Sequence, residues 1–396
     1  MWRLIRETFF KTSFNYNLLI FYALVFYYTV PHLFFLNHFG IRNIKLFDLA
    51  AIFLFFIIFY LPLKKIPKPF LLLTVWYLIR SFVAFFDFGF ASLLFSFKLI
   101  EYLTIIYCIS FLNEINKLKL LNIFLIVSLI FIIFEIFNIR QSYTWHGRFL
   151  ANFGGPYELG AISILFIYLF KSSYKKFFSF FVMISSATKT AFISLIPLCL
   201  EYFCELLVSR KKKEEIIFLV ILTMSFLSAI IIFADNRFYD FLVKAYSFIS
   251  SLKIIEIYNM IPYTFDHDAY HAVYRGREFF IDHNQIMGKL DFSTALRLHT
   301  YMTSFKSVNS LNVFFGNGPG FYGVSLDSSI LRIYCEAGLI GVFLFSLVIY
   351  DLHSRFKNFT FICAIFIIFC FSDVFFSARF LPLLFLLSYI RKLNFK

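Results

Sequence analysis

Charge is scarce in this chain. Asp, Glu, Lys and Arg make up 15% of its 396 residues, against 61% hydrophobic residues and a mean hydropathy of +0.80. A soluble domain of this length needs more polar surface than that to cover its core, so a water-soluble fold is excluded. The six cysteines (Cys108, Cys199, Cys204, Cys335, Cys363 and Cys370) all fall in apolar segments. None lies in the one long polar stretch, 235–326, which rules out a disulfide framework or a zinc site there. The chain also lacks the short-period alternation of a membrane β-barrel. It shows no internal repeat and no linker that would divide it into domains. No small-residue cleavage site follows the first apolar run, so MWRLIRETFFK and that run are expected to form an uncleaved first span.

What is present is a succession of apolar runs, each about long enough to cross a bilayer. We place spans at 15–32, 46–63, 69–86, 92–112, 119–138, 157–170, 176–187, 190–208, 215–234, 327–349, 359–375 and 380–390. The expected fold is all-α: one polytopic membrane domain over 1–396 with about twelve helices. The net charge of +14 is assigned to topology rather than to nucleic acid. Arg3, Arg6, Lys11, Lys64, Lys65, Lys68, Lys117, Lys119, Lys171, Lys175, Lys176, Arg210–Lys213, Arg355, Lys357, Arg391, Lys392 and Lys396 all fall on one side of a twelve-span chain. That side is read as cytoplasmic, with both termini on it. The 139–156 loop and the 235–326 stretch then face outward. The latter mixes aromatic, acidic, basic and His residues, and 291–310 has helical spacing. It is expected to be a folded cap containing short helices.

Ionisable side chains inside spans are costly and mark functional candidates. Arg80, Lys98, Glu101, Glu135, Lys189, Arg332, Glu336 and Asp373 fall within the spans or at their breaks, mostly toward the outer face. Arg332 and Glu336 are four residues apart and share a helix face, so they can pair. Excess cation in an outward cavity suits an anionic ligand, since Arg forks match phosphate oxygens and Lys acts as a point charge. Asp266-His267-Asp268 with His271 has short metal-ligand spacing, but a solvated loop accounts for it better. The Tyr143-Trp145-His146 cluster reads first as an interfacial aromatic belt.

Four segments carry a pattern. Gly147–Gly160 (GRFLANFGGPYELG) leads from the outside into the sixth span. Ser186-Ala187-Thr188-Lys189-Thr190-Ala191 breaks the chain before the eighth. Arg297 lies in ALRLHTYMTSFKSV, and 314–342 reads FFGNGPGFYGVSLDSSILRIYCEAGLIGV, a Gly-rich turn leading into Glu336-Ala337-Gly338-Leu339-Ile340-Gly341. In this order and on these faces, the pattern over about 140–345 resembles the O-antigen polymerase and O-antigen ligase superfamily. Two departures stand out. Lys189 occupies the position of a usual Arg, keeping charge but losing the bidentate fork. The His that ligases carry before the E-x-G-L segment is absent from Ser325–Ser329, which favours polymerase over ligase; His299 is the nearest helix-borne His that would take its place.

The resemblance implies a C-type membrane glycosyltransferase architecture in a bacterial inner membrane. It implies that undecaprenyl-diphosphate-linked oligosaccharide repeats are joined at the periplasmic face, without metal or cofactor. It also implies a protein partner that controls chain length; membrane lipids are the remaining partner and nucleic acid is not one. A hydroxyl of one repeat would attack the anomeric carbon of another chain, and lipid diphosphate would leave. Arg148, Lys189 and Arg297 are the expected diphosphate ligands. Asp327, Glu158 and Glu336 are the expected base or acceptor-positioning groups. Each has a structural reading beside this one: headgroup contact for the cations, helix capping for Asp327 and Glu158, an ion pair for Glu336. The Gly-rich turn is expected to shape the chain and contact nothing. The rivals are an O-antigen ligase acting on lipid A-core and a flippase or other transporter, for which a repeat and discontinuous helices would be the signature.

Overall fold

The computed structural model describes residues 16–30, 46–59, 61, 67–137, 151, 156–169, 173–186, 188–201, 253–260, 292–308, 311–321, 328–377 and 379–394. Arg148, Asp327, the Asp266–His271 constellation, the Tyr143–His146 cluster, the 215–234 span and most of the expected cap lie outside these residues.

The described chain is all-helical. Its helices are α1 (Tyr16–Thr29), α2 (Asp48–Ile58), α3 (Lys68–Phe88), α4 (Phe90–Phe111), α5 (Glu114–Ile136), α6 (Pro156–Leu169), α7 (Ser173–Ser186), α8 (Lys189–Ile193), α9 (Lys253–Met260), α10 (Phe292–Lys306), α11 (Asn312–Phe315), α12 (Ser329–Phe356), α13 (Phe359–Phe371) and α14 (Phe380–Asn394). Four stretches are long and apolar enough to cross a membrane: Lys68–Phe88, Ser92–Phe111, Glu114–Ile136 and Ser329–Phe356. Other apolar helices, such as Tyr16–Thr29, Asp48–Ile58 and Phe359–Phe371, are shorter. Among the described residues of the expected span 46–63, the helix has 11 residues, about 16 Å long at the α-helical rise.

Local chemistry sets the boundaries. Pro69 starts α3, where a missing N–H costs nothing. Gly89, at φ +61, ends α3 and turns the chain straight into α4. Asn113, Ser328 and Asn358 cap α5, α12 and α13 by accepting the backbone N–H groups of Asn116, Leu331 and Phe361. In an apolar setting, α3 and α4 are joined by hydroxyls. Ser81 donates to Ser92 O at 2.8 Å, Ser92 to Ser81 O at 3.1 Å and Ser96 to Tyr77 O at 3.1 Å. Small residues let the two backbones approach, and each hydroxyl satisfies a carbonyl across the interface.

The core is built largely of phenylalanine. Phe345 packs edge-on against Phe369 and Phe375, with ring centroids 5.5 and 5.1 Å apart, and Phe369 against Phe380 at 5.8 Å. Such contacts add to area burial through the ring quadrupole. Phe86, Phe90, Phe82 and Phe343 point outward from α3, α4 and α12, as expected for helices facing hydrocarbon.

Helix α12 is broken at Gly338, whose φ of 67° and ψ of −166° are non-helical. The break frees carbonyls, and each has a partner: Asn317 N donates to Cys335 O at 2.7 Å, Gly318 N to Glu336 O at 2.9 Å and Trp76 Nε1 to Ala337 O at 2.9 Å. The Gly-rich turn, expected to contact nothing, therefore does not stand clear of the protein. It docks into the break. A Cβ on Gly316 would lie 2.4 Å from Glu336 O, and one on Gly338 would lie 2.2 Å from Phe314 O. Irregular backbone at membrane depth is tolerated when protein satisfies it, and here the turn and the indole do so.

Candidate functional site

Segment 372–379, between α13 and α14, organises two polar clusters. In the first, Arg332 of α12 donates through Nε to Glu336 Oε1 at 3.1 Å and through Nη1 to Asp373 Oδ2 at 2.6 Å. Its guanidinium lies between the rings of Phe376 and Phe95, 4.4 and 4.8 Å from their centroids. Arg332 and Glu336 are buried, Glu336 completely. The pairing expected from their four-residue spacing is present, with Asp373 as a further partner. Glu336, the third expected base, is thus bound to a guanidinium in the interior.

The second cluster gathers at the start of α6. Glu158, in the first turn, accepts a hydrogen bond from Ser377 Oγ. That same oxygen faces the N–H groups of Arg379 and Phe380, at 3.4 Å each, where α14 begins. The carboxylate therefore sits by the N-terminus of α14. One residue earlier, Tyr157 Oη accepts from Arg297 Nη2 at 3.1 Å, and the guanidinium lies 5.9 Å from the tyrosine ring centroid. Arg297 comes from α10, which forms within the expected helical stretch 291–310. Glu158 is buried, while Tyr157 and Arg297 are half-buried.

The helix break expected at Ser186–Thr190 is also present. α7 ends at Ser186, Thr188 is extended, and Lys189 opens α8. The break packs directly on α6. A Cβ on Gly160 would fall 2.2 Å from Thr188 Oγ1 and 2.9 Å from Ser186 Oγ. A side chain at that crossing, two residues after Glu158, would displace the Thr188 and Ser186 hydroxyls. Lys189 is placed there by its backbone; its side chain lies outside the described residues, as do Arg148 and Asp327. The helix cap that Asp327 was a candidate for is made by Ser328 instead. Of the six expected site residues, Arg297 and Glu158 reach the same end of α6, and Glu336 sits across segment 372–379 from them.

Other residues join these clusters without having been singled out from the sequence. Arg379 is fully buried and donates to the carbonyls of Tyr27 and Val30 at the end of α1, with its guanidinium 5.1 Å from the Phe47 ring centroid. It anchors the segment that carries Ser377. Tyr102 Oη donates to Phe376 O at 2.6 Å. The signal for Arg379 was available: a cation in the short polar run Ser377-Ala378-Arg379 between two apolar segments. His299, half a turn beyond Arg297, is buried, and burial pushes its imidazole down to about 4, so it is neutral at pH 7. Among the described residues, no group of three or more His, Cys, Asp and Glu is arranged to hold a metal ion.

No protein-family model, curated protein or solved structure matches the chain.

Proposed function

We propose that this chain is a membrane glycosyltransferase that polymerises lipid-diphosphate-linked oligosaccharide repeats at the outer face of a bacterial inner membrane. In this reading it has about twelve spans, cytoplasmic termini and the C-type architecture. The observation that carries the proposal is the meeting of three remote segments at one end of α6: the Tyr157-Glu158 turn, the Ser186–Lys189 break packed on Gly160, and Arg297 of α10. These are three of the four segments on which the family resemblance rests.

The chemistry fits the groups present. The Glu158 carboxylate takes the proton of an acceptor hydroxyl, and the resulting oxygen attacks the anomeric carbon of the donor. The bond from that carbon to the diphosphate oxygen breaks, and the lipid diphosphate departs with the electron pair. Arg297, held by Tyr157, balances the charge on the leaving group, with Lys189 and Arg148 as the further cations in this reading. Ser377 and the N-terminus of α14 orient Glu158.

The break in α12 at Gly338, like the one between α7 and α8, favours a transporter, since unwound helices at mid-depth coordinate cargo in such proteins. The carbonyls of 335–337 are occupied here by the Gly-rich turn and Trp76, which weakens that reading. Purified protein supplied with lipid-linked repeats separates the alternatives. Glycan lengthening without lipid A-core supports the polymerase, and transfer only to lipid A-core identifies a ligase. Passage across a vesicle membrane without a new glycosidic bond identifies a transporter.

A further inference from the structure

The chain from α10 to Phe321 follows the two long helices α3 and α12 rung by rung. On the way in, Tyr301 packs in the cluster of Leu331 and Phe321, Ser304 O accepts from Cys335 Sγ at 3.8 Å, and the Phe305 ring lies 5.7 Å from Tyr334. α10 thus runs alongside α12 in the same direction, away from the Ser329 end. At the turning point α11 lies against the Gly338 break, with Phe314 O at its backbone. On the way out the contacts climb α3 one turn at a time. Phe315 lies 6.2 Å from Trp76, Gly316 O accepts from Arg80 Nη2 at 2.7 Å, Gly318 abuts Ala84, and the Phe321 ring is 5.9 Å from Phe88. Asn317 Nδ2 joins the two legs by donating to Ser307 O at 3.4 Å.

We propose that the described residues 292–308 and 311–321 are the two legs of a re-entrant hairpin, and that Leu311–Phe315, the tip of the second leg, lies among the acyl chains of the bilayer. Depth is the first support. Trp76 is about 18 Å from the Phe88 end of α3, and Gly338 about 14 Å from the Ser329 end of α12, at 1.5 Å per residue. Both helices are long and apolar enough to cross a membrane, so the tip sits near the middle of about 30 Å of hydrocarbon. Surface chemistry is the second support. Leu311, Phe314 and Phe315 are 73%, 54% and 42% exposed. Left in water, such residues forgo the favourable transfer of their apolar surface out of it. The tip's polar groups turn inward instead: Asn312 Nδ2 donates to Asn317 Oδ1 at 2.7 Å, and Gly316 N to Asn312 O at 2.7 Å. An apolar outer face, with these amide and backbone groups bonded to protein, suits hydrocarbon, where irregular backbone must find its partners within the protein. The partner is therefore lipid acyl chain, and the hairpin is held in the membrane rather than over it. The inference does not depend on the reaction proposed above.

Spin labels on Leu311→Cys and on Phe314→Cys test it, in full-length protein reconstituted into phosphatidylcholine–phosphatidylglycerol vesicles. The signal of the unsubstituted protein, with its native cysteines, is subtracted. Leu311 is the most exposed of the three, so its substitution leaves packing intact and guards against a folding failure at Phe314. At both positions, collision with dissolved oxygen should exceed collision with a water-soluble nickel chelate several-fold. Nickel access equal to or above oxygen access would place the tip in water and overturn the proposal. Low access to both would place it against protein and overturn it equally.

Discussion

The cluster around Arg332 and the cluster around Glu158 share segment 372–379 as a wall, yet their charges are housed differently. Arg332 is enclosed: two carboxylates bind it and two phenylalanine rings cover it. At Glu158 the carboxylate is buried, while the cation and phenol beside it are only half-buried. A guanidinium buried against two carboxylates and two rings holds helices together, whereas a charge at a partly open helix entrance can still meet a ligand. Ionisable residues within apolar segments are therefore not equivalent functional candidates, and enclosure sorts them.

The largest expected effect sharpens the enclosed side. Gly338→Ala places a Cβ 2.2 Å from Phe314 O at a positive φ, and folded protein should fail to accumulate in membranes. Gly89→Ala is the matched control, because Gly89 also has a positive φ but nothing within 4 Å of its added Cβ. It should cost about 1–3 kcal/mol from strain alone and still yield monodisperse protein by size exclusion. Next in size is Arg332→Ala, which strands buried carboxylates and should cost about 3–5 kcal/mol, read as a lowered melting temperature in detergent. An unchanged melting temperature would erase the distinction between the clusters.

On the open side, Arg297→Ala and Glu158→Gln should each reduce polymer formation by roughly 100-fold or more while the melting temperature holds. Ser377→Ala should reduce it less, about tenfold, since it orients Glu158 without touching substrate. Wild-type yield in Arg297→Ala would remove the diphosphate assignment. The smallest effect concerns His299. Its folded-state value of about 4 lies below the ordinary 6.5, so between those pH values the unfolded chain binds the extra proton. Stability should therefore fall as pH drops from 6.5 toward 4, and His299→Gln should flatten that part of a melting-temperature profile.

Much of the helical framework is visible in the sequence, because an apolar run bounded by Pro, Gly or an Asn cap leaves few other structures available. The break at 186–188 is visible too, as a polar cluster between apolar runs, and the Arg332–Glu336 pair follows from helical spacing. The break at Gly338 is not. CEAGLIGVFLF reads as one continuous helix, and what bends it is the docking of 316–318, a contact between distant segments. Arg379 and Ser377 escape for a related reason: they fall in a short connection, where a charge looks solvated until the end of α1 is found beside it. Arg297 and Glu158 were legible as residue types in suggestive motifs, but their meeting at α6 is tertiary. Apolar composition marks a stretch more broadly than the helix within it, as at 46–63, where the described helix is Asp48–Ile58.

Phe376 and Ser377 are neighbours in the chain, and they face different clusters. The ring of Phe376 covers Arg332, and the hydroxyl of Ser377 holds Glu158. Neither can shift without pulling on the other, and Arg379 pins the far side to the end of α1. Whatever displaces the carboxylate at the mouth of α6 must therefore tug at the buried guanidinium of Arg332, so that occupancy at one cluster is felt as tension in the other.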